Sequence, residues 1–485
     1  MTSLARLLEG LPGADVRVVG PSAEISSLCA DSRVAQPGSL FVAIRGEHSD
    51  GHRYVPDAIA NGAVAIVVEH PVAAELRGIT VVRVPDTHVA LSQLAARFYG
   101  DPSKRLRVVG ITGTNGKTTT THMTRAVLDG CGMRCGYIGT LGANYREWTR
   151  ELANTTPLPI ELHETLATML EHGADTVAME VSSHALALHR VDDIVFKVGA
   201  FTNLTRDHLD FHGTTDNYAQ AKHRLIEMAE HAVINDDDPH GAEWAADLRE
   251  EEDKPLTTYS LDGDADLVAR DIVLRPDGSS FTVSGHRVEL PLPGRFNVQN
   301  ALCALAIAHV LGCDFERAIA ALHAVPPVPG RMERYAQDGV VAIVDYAHTP
   351  DALANVLRAA RETTAGKLIA VFGCGGDRDK GKRPEMGAVA RALADECIIT
   401  NDNPRSEDPQ AIANAILAGA PGAEVQLDRR AAIREAVNRA RSGDVVVVAG
   451  KGHETYQIVG AARAHFDDRD EVRAALAQRK TAAPA

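Results

Sequence analysis

Short runs rich in Val and Ile alternate along the chain with longer Ala/Leu-rich amphipathic stretches. That alternation predicts the strands and covering helices of parallel α/β sheets. Over residues 1–103 it predicts strands at Leu40–Ile44, Ala63–Glu69 and Thr80–Val84, and helices at Tyr54–Asn61 and Val89–Tyr99. Gly100-Asp101-Pro102-Ser103 stops the last helix and marks a boundary. A second unit begins near Arg105, with a strand at Arg107–Ile111, a Gly/Thr loop and a helix from Lys117. Further strands are predicted at Asp175–Val181, Lys197–Thr202 and Ala232–Asn235. Residues 256–292 read as antiparallel strands with turns at Asp262-Gly263 and Asp277-Gly278, followed by a helix from Asn297. Val325–Arg331, with three prolines and a glycine, reads as a second linker. Beyond it, strands Val340–Asp345, Leu368–Phe372, Glu396–Thr400 and Asp444–Ala449 alternate with helices Asp351–Arg361, Pro384–Ala394 and Pro409–Leu417. That is a doubly wound pattern. The tail Lys480–Ala485 is expected to fray.

Composition narrows the class. A chain of 485 residues suits three domains at ~150 residues each, and the expected divisions are 1–103, 104–331 and 332–485. The apolar content of 45% lets each bury a core. No apolar run approaches the ~20 residues that cross a bilayer, so no membrane insertion is expected. The first residues lack a basic segment followed by a long apolar one, so no secretory signal is expected. The seven cysteines have no framework spacing, which points to reduced thiols and a cytoplasmic location. A net charge of -15 argues against a nucleic-acid partner, which requires basic stripes.

The strongest local signal is Gly113-Thr114-Asn115-Gly116-Lys117-Thr118-Thr119, between a predicted strand and a helix. Glycines let backbone N–H groups turn toward phosphate oxygens, and the helix N-terminus adds partial positive charge. Lys117 can neutralise phosphate charge and the Thr118 hydroxyl can bind Mg²⁺. The strict P-loop spacing is not met, because Ile111 stands five places before Gly116. A plain Gly-rich turn is the alternative, although a turn does not require Lys-Thr-Thr at a helix start.

Three later segments carry ligands for hard cations. Glu180 ends a predicted strand, where parallel sheets face their ligands, and carboxylates suit Mg²⁺. Asn203–Asp210 offers His208 and two acids, and Lys222 lies on a helix. Singly, these residues read as a cap, a loop histidine and a solvated helix face. Together with the phosphate loop they resemble the Mur ligases. The matching segments are NTTP at Asn154–Pro157, EVSSH at Glu180–His184, NLTRDHLDFHG at Asn203–Gly213 and AK at Ala221–Lys222.

The resemblance implies a fold and an activity. The expected fold is a central P-loop ATPase-type parallel sheet between an amino-terminal uridine-binding α/β domain and a Rossmann-like carboxyl-terminal domain. The expected catalytic residues are Lys117, Glu180, His208 and Lys222. One Mg²⁺ would use Thr118 and Glu180; a second would use His208 and a CO₂-derived carbamate on Lys222. A bare ammonium beside Mg²⁺ would be repelled by several kcal/mol at intermediate dielectric, and carbamylation removes that objection. ATP would also contact Asn300, Arg331 and Asp345, in segments resembling the family's adenine side, hinge and nucleotide-contacting strand end. Ser32, Asn154, Thr155, Thr156, Ser182 and Arg190 would bind the UDP-linked substrate.

Near the carboxyl end, residues 373–386 match the family pattern GCGGDRDxxKRPxM. Gly373–Arg378 is not a dinucleotide fingerprint, because Arg378 stands where a glycine is needed. Asp402-Asn403-Pro404-Arg405 and the segment from Gly450 to Glu454 each follow a predicted strand. DNPR resembles the branch of the family that adds meso-2,6-diaminopimelate, whose second head carries a carboxylate that a guanidinium can pair. Arg378, Asp402, Asn403, Pro404, Arg405, Gly450 and Glu454 would then bind the amino acid. The activity implied is ATP-dependent addition of meso-diaminopimelate to UDP-N-acetylmuramoyl-L-alanyl-D-glutamate through an acyl phosphate, by a monomer. Competing readings are a folylpolyglutamate synthase, a Mur ligase adding another residue, and an ATP-dependent switch protein.

Overall fold

The β-branched runs named above become mostly buried strands in the computed structural model, which describes residues 2–17, 24–46, 49–72, 76, 78–251 and 254–479. The tail Lys480–Ala485 lies outside the described residues. Two compact units emerge: one of Met1–Thr112, Met133–Gly199 and Arg224–Glu230, the other of Gly113–Gly132, Ala200–His223 and His231–Ala485. Among the described residues no helix is long and apolar enough to cross a membrane.

The first unit holds a five-stranded sheet in the order Asp15–Arg17, Thr80–Arg83, Ala63–Val68, Ser39–Val42, Ser27–Cys29. Its pairs are parallel apart from the antiparallel edge at Asp15–Arg17. Helix Thr87–Phe98 starts where the Asp86 carboxylate accepts from the N–H groups of His88 and Val89, satisfying two of the donors a helix start leaves open. It buries Leu91, Leu94 and Ala95 in a core with Leu40, Val42 and Val67. The same unit contains the parallel strands Cys135–Gly139, Thr176–Glu180 and Arg107–Thr112. Gly142–Tyr145 and Trp148–Arg150 add antiparallel strands outside Cys135–Gly139.

In the second unit, helix Lys117–Gly130 packs on Arg295–Val310 and Phe315–His323. Residues 300–308 of Arg295–Val310 are all buried, which is why that stretch beyond Asn300 is apolar on every side. One expectation is corrected here. Leu256–Ser260 pairs in parallel with His231–Asn235, and Leu267–Val268 pairs in parallel with Tyr259–Ser260. Only Arg270–Arg275, Gly278–Val283 and His286–Leu290 are antiparallel. The first pairing follows from helix Pro239–Glu251, a crossover that returns the chain the same way; after it the Asp266 carboxylate accepts from Thr258 N at 2.7 Å and Thr258 Oγ1 at 3.0 Å. Those bonds hold Leu267–Val268 beside the strand the chain has just left.

The last sheet has six strands in the order Glu333–Gln337, Val340–Asp345, Val445–Ala449, Leu368–Phe372, Glu396–Ile399, Glu424–Val425. All its pairs are parallel except the first. Apolar cores on both faces complete a doubly wound layer. The strand inserted out of sequence order, Val445–Ala449, creates the reversal beside which such sheets bind ligands, at their carboxyl ends.

Candidate active site

The phosphate loop follows strand Arg107–Thr112 and opens directly into helix Lys117–Gly130. Two glycines are required by its shape. Gly113 has φ +150° and a Cβ there would lie 1.9 Å from Thr202 Oγ1; Gly116 has φ +85° and a Cβ would lie 2.5 Å from Asn300 Oδ1. The segment predicted to bear ligands also braces the loop, for Thr114 N donates to Asn203 O at 2.8 Å and Asn115 N to Asn203 Oδ1 at 2.9 Å. Lys117 Nζ curls back onto Gly113 O at 2.8 Å and Thr114 O at 2.9 Å. Thr118 is buried and its Oγ1 accepts from Arg331 Nη2 at 3.0 Å. Buried Asn300 accepts from Thr120 Oγ1 at 3.1 Å, and Thr119 is buried beside it in the chain. Asp345 accepts from Met332 N and Ala347 N at 2.7 Å each, and burial pushes its carboxyl above the ordinary range. Arg331 lies 4.4 Å over the Tyr346 ring. This unit therefore brings Gly113–Thr119, Asn300 and Arg331 around one helix start. Its N–H donors, lysine and hydroxyl suit a nucleotide triphosphate with its divalent ion.

His208 and Lys222 lie in the same unit. Lys222 is 1% exposed, with Nζ 2.7 Å from Gly113 O and 4.4 Å from the Tyr218 ring centroid. Burial, and then the charge of Lys117, push its pKa well down against a smaller opposing effect of Asp207. His208 is half exposed and held in the left-handed region, φ +53°. Asp207, noted in the sequence only as one of two acids, is the hub beside it. Its carboxylate lies 3.4 Å from His208 Nε2, 3.8 Å from His348 Nε2 and 3.6 Å from Lys382 Nζ. Next to it, Arg206 pairs with Asp379 at 3.3 Å and Glu385 at 3.0 Å.

Glu180 belongs to the first unit and is fully buried. Tyr137 OH donates to it at 2.8 Å, Thr140 N at 2.9 Å and Thr140 Oγ1 at 3.1 Å, fixing the carboxylate in one orientation. Around that strand end, Thr156 Oγ1 donates to Glu180 O and accepts from Ser182 N, both at 3.0 Å. Arg190 Nη1 donates to Thr156 O at 3.2 Å, and Thr155 meets Thr140 at 3.2 Å. Thr155, Thr156, Ser182 and Arg190 are thus one cluster, with Asn154 exposed at its edge. Ser32 lies in the amino-terminal sheet region, at a turn whose Asp31 carboxylate accepts from Arg33 N. Nearby, Asp50, His52 and His70 have metal-like spacing. However, His52 Nε2 accepts from Glu69 N and Nδ1 faces Asp50 Oδ1, which commits both ring nitrogens.

In the last sheet the two loops read as amino-acid-binding do meet. Asn403 is 2% exposed; its Nδ2 donates to Glu454 Oε2 at 2.9 Å, and its Oδ1 accepts from Lys451 Nζ at 3.1 Å. A Cβ on Gly450 would lie 2.6 Å from Asp402 Oδ2, so the loops touch. Arg405, at φ +51°, donates from Nη1 to Gly376 O at 2.9 Å and Asn403 O at 3.4 Å. Pro404 is buried under that arch. Arg378 is exposed, and it flanks Gly375 together with Arg405. Lys451 was missed: fully buried, it also donates to Glu454 Oε2 at 2.9 Å. A lysine between two glycines after a buried strand was the available signal. Burial, ahead of Asp402, raises the Glu454 carboxyl, and Lys451 partly offsets this.

A phosphate loop and a buried polar cluster of Asn403, Lys451 and Glu454 in one α/β unit fit an enzyme that uses a nucleotide and a second, polar substrate. The chain belongs to the Mur ligase family. The Mur ligase middle domain matches residues 111–308, the Mur ligase glutamate ligase domain 330–452, and the Mur ligase family catalytic domain 24–99. Curated relatives matching at 41–46% identity share one name, UDP-N-acetylmuramoyl-L-alanyl-D-glutamate–2,6-diaminopimelate ligase. That from Syntrophomonas wolfei is 46% identical over 92% of this chain and 93% of its own. A solved structure of the same name is 33% identical, with TM-score 0.70, and covers 98% of this chain and 99% of its own. The MurF ligase of Thermotoga maritima in complex with ADP shares the fold, at 22% identity and TM-score 0.62 over 87% of this chain and 93% of its own.

Proposed function

We propose that this chain joins meso-2,6-diaminopimelate to UDP-N-acetylmuramoyl-L-alanyl-D-glutamate at the expense of ATP, a step of peptidoglycan precursor synthesis. The observation that carries this reading is a match along more than nine-tenths of the chain to relatives of that one activity. Residues 1–103 would receive the UDP-linked substrate, 104–331 the nucleotide and 332–485 the amino acid.

A carboxylate is a poor acyl donor because its charge repels nucleophiles. Its oxygen attacks the γ-phosphorus of ATP in line, releasing ADP and leaving an acyl phosphate. The free amine of the amino acid then attacks the acyl carbon and inorganic phosphate departs. Lys117, now resting on two loop carbonyls, moves its charge onto the phosphates that the loop N–H groups bind. Arg331, anchored on Thr118 and stacked on Tyr346, borders the same place. Thr118, His208 and Lys222 in the second unit, and Glu180 in the first, keep the metal-binding roles that the family resemblance implies. A bound divalent ion supplies charge neutralisation on the transferring phosphoryl group. For Lys222 that role requires a carbamate, formed when its neutral amine takes up CO₂ and loses a proton; deep burial and the neighbouring charge of Lys117 support the neutral form. Arg405 and Arg378 would pair the distal carboxylate of diaminopimelate, and Glu454 its ammonium.

The reaction needs no second chain for any residue named, so we take the enzyme to act as a monomer, in the cytoplasm. The decisive experiment is phosphate release measured over a panel of amino acids, with and without the UDP-muramoyl dipeptide. Release that depends on both substrates and peaks with meso-diaminopimelate supports the reading; release that needs neither sinks it.

A further inference from the structure

Arg429 and Asp468 form an ion pair in which neither side chain has exposed surface. Nε and Nη2 of the guanidinium reach the two carboxylate oxygens at 2.7 Å each. The other donors serve a purpose an ion pair does not need. Nη1 donates to Asn401 O at 3.1 Å, and Nη2 donates also to Ala449 O at 2.9 Å. Ala449 ends strand Val445–Ala449, and Asn401 lies just beyond strand Glu396–Ile399. Those strands are not neighbours, because Leu368–Phe372 runs between them. One planar side chain therefore spans the carboxyl end of the middle strand and ties two loops together. They are Asp402–Arg405 and the segment from Gly450 to Glu454, which meet through Asn403 and Glu454 at 2.9 Å.

We propose that Arg429, held in place by Asp468, is a positioning residue that sets the spacing of the amino-acid pocket and so the choice of amino acid. The inference rests on the reading that these two loops receive the amino acid. Its physical basis is the rigidity of the guanidinium fork, which fixes two carbonyls at one separation as a flexible ammonium cannot. A pocket that must hold an amine for attack loses rate steeply when its walls shift by about an ångström.

A purely structural role makes a different prediction. Buried ion pairs replaced by apolar residues of similar volume often leave a fold as stable as before, or more so. The double variant Arg429→Met/Asp468→Leu removes the buried charges together and with them the link between the carbonyls. We expect it to fold and to raise KM for meso-diaminopimelate about 10-fold or more, while KM for ATP stays within about 2-fold. Preference over L-lysine should narrow in parallel. Arg429→Lys keeps a cation opposite Asp468 but not the fork, and should show the same split more mildly. Unchanged amino-acid KM in the double variant, or an equal rise for ATP, overturns the proposal; should that variant not fold, the same comparison in Arg429→Lys decides. Arg405→Ala is the control. If it too leaves the amino-acid KM unchanged, the pocket assignment itself has failed, whereas a rise there alone leaves only the role of Arg429 refuted.

Discussion

Lys117 and Lys222 aim their side-chain nitrogens at one oxygen: Gly113 O accepts from Lys117 Nζ at 2.8 Å and from Lys222 Nζ at 2.7 Å. Two ammonium groups converging on one carbonyl repel each other, and the more buried of them gives up its proton more easily. That one is Lys222, which burial and Lys117 both push toward the neutral amine.

A neutral, buried amine can react with CO₂, so a carbamate on Lys222 is the first expectation. Active enzyme exchanged with ¹³C-bicarbonate should show a carbamate carbon signal that is missing in Lys222→Ala. That variant should lose about 10²-fold or more in turnover, with partial recovery on adding short carboxylates. Lys222→Arg should not recover, since its guanidinium stays cationic. An unmodified amine at full occupancy with nucleotide and Mg²⁺ bound would refute the idea.

The Asp207–Lys382 contact supplies a second test. Burial alone would raise the Asp207 carboxyl, but Lys382, His208 and His348 outweigh it and hold the group well below the usual carboxylate range. Because the folded value is depressed, the stability it contributes is complete above the ordinary carboxylate range and is lost only as pH falls through the folded value. Lys382→Met removes the lysine from the buried carboxylate, leaving it only the two imidazoles and the His208 N–H, and should cost about 2 kcal/mol in urea unfolding at neutral pH. Adding Asp207→Leu should return most of that stability. A single variant as stable as the parent would show that the pair contributes nothing.

The strands were legible because they are dense in Val and Ile, and the phosphate loop because Gly-Lys-Thr at a helix start has few other uses. Gly142–Tyr145 and Trp148–Arg150 were not read, since Gly, Asn and Arg carry no strand signal there. Lys382 and Lys451 lie in segments that were matched but were given no role, and Arg429 and Asp468 lie in none, because nothing in local spacing tells that a partner from tens of residues away will bury them. The parallel pairing of Leu256–Ser260 was misread because the Asp-Gly turns after it signal reversal, whereas its direction follows from helix Pro239–Glu251 before it, which returns the chain the same way.

Histidine 189 offers a test by pH. Its Nδ1 lies 2.5 Å from Asp192 Oδ2, and that hydrogen bond raises the imidazole's pKa despite partial burial. Arg224 holds the same carboxylate at 2.9 and 3.1 Å. With the folded value raised, the stabilisation is fully present below the ordinary histidine pKa of about 6.5 and fades as pH rises through the folded value. His189→Gln should therefore lower Tm at pH 6 more than at pH 9. Equal losses at both would assign the effect to packing instead of charge.

The choice between meso-diaminopimelate and L-lysine turns on Arg405. Its backbone is held in the left-handed region and its Nη1 is engaged by Gly376 O and Asn403 O, which together fix the plane of the guanidinium. A fixed guanidinium can offer its other edge to a carboxylate through two parallel hydrogen bonds. L-Lysine has no carboxylate at that end and would leave the cation desolvated and unpaired. Sites built around such a polar group reject the analogue lacking it by up to ~10⁴-fold in kcat/KM. We therefore expect meso-diaminopimelate to be preferred over L-lysine by about 10² or more. Arg405→Ala should erase most of that preference by lowering kcat/KM for diaminopimelate, with KM for ATP unchanged. Arg405→Lys should recover little, because a point charge on a flexible stem cannot reproduce the bidentate geometry. Comparable kcat/KM for the two amino acids in the parent enzyme would show that this pocket does not read the second carboxylate at all.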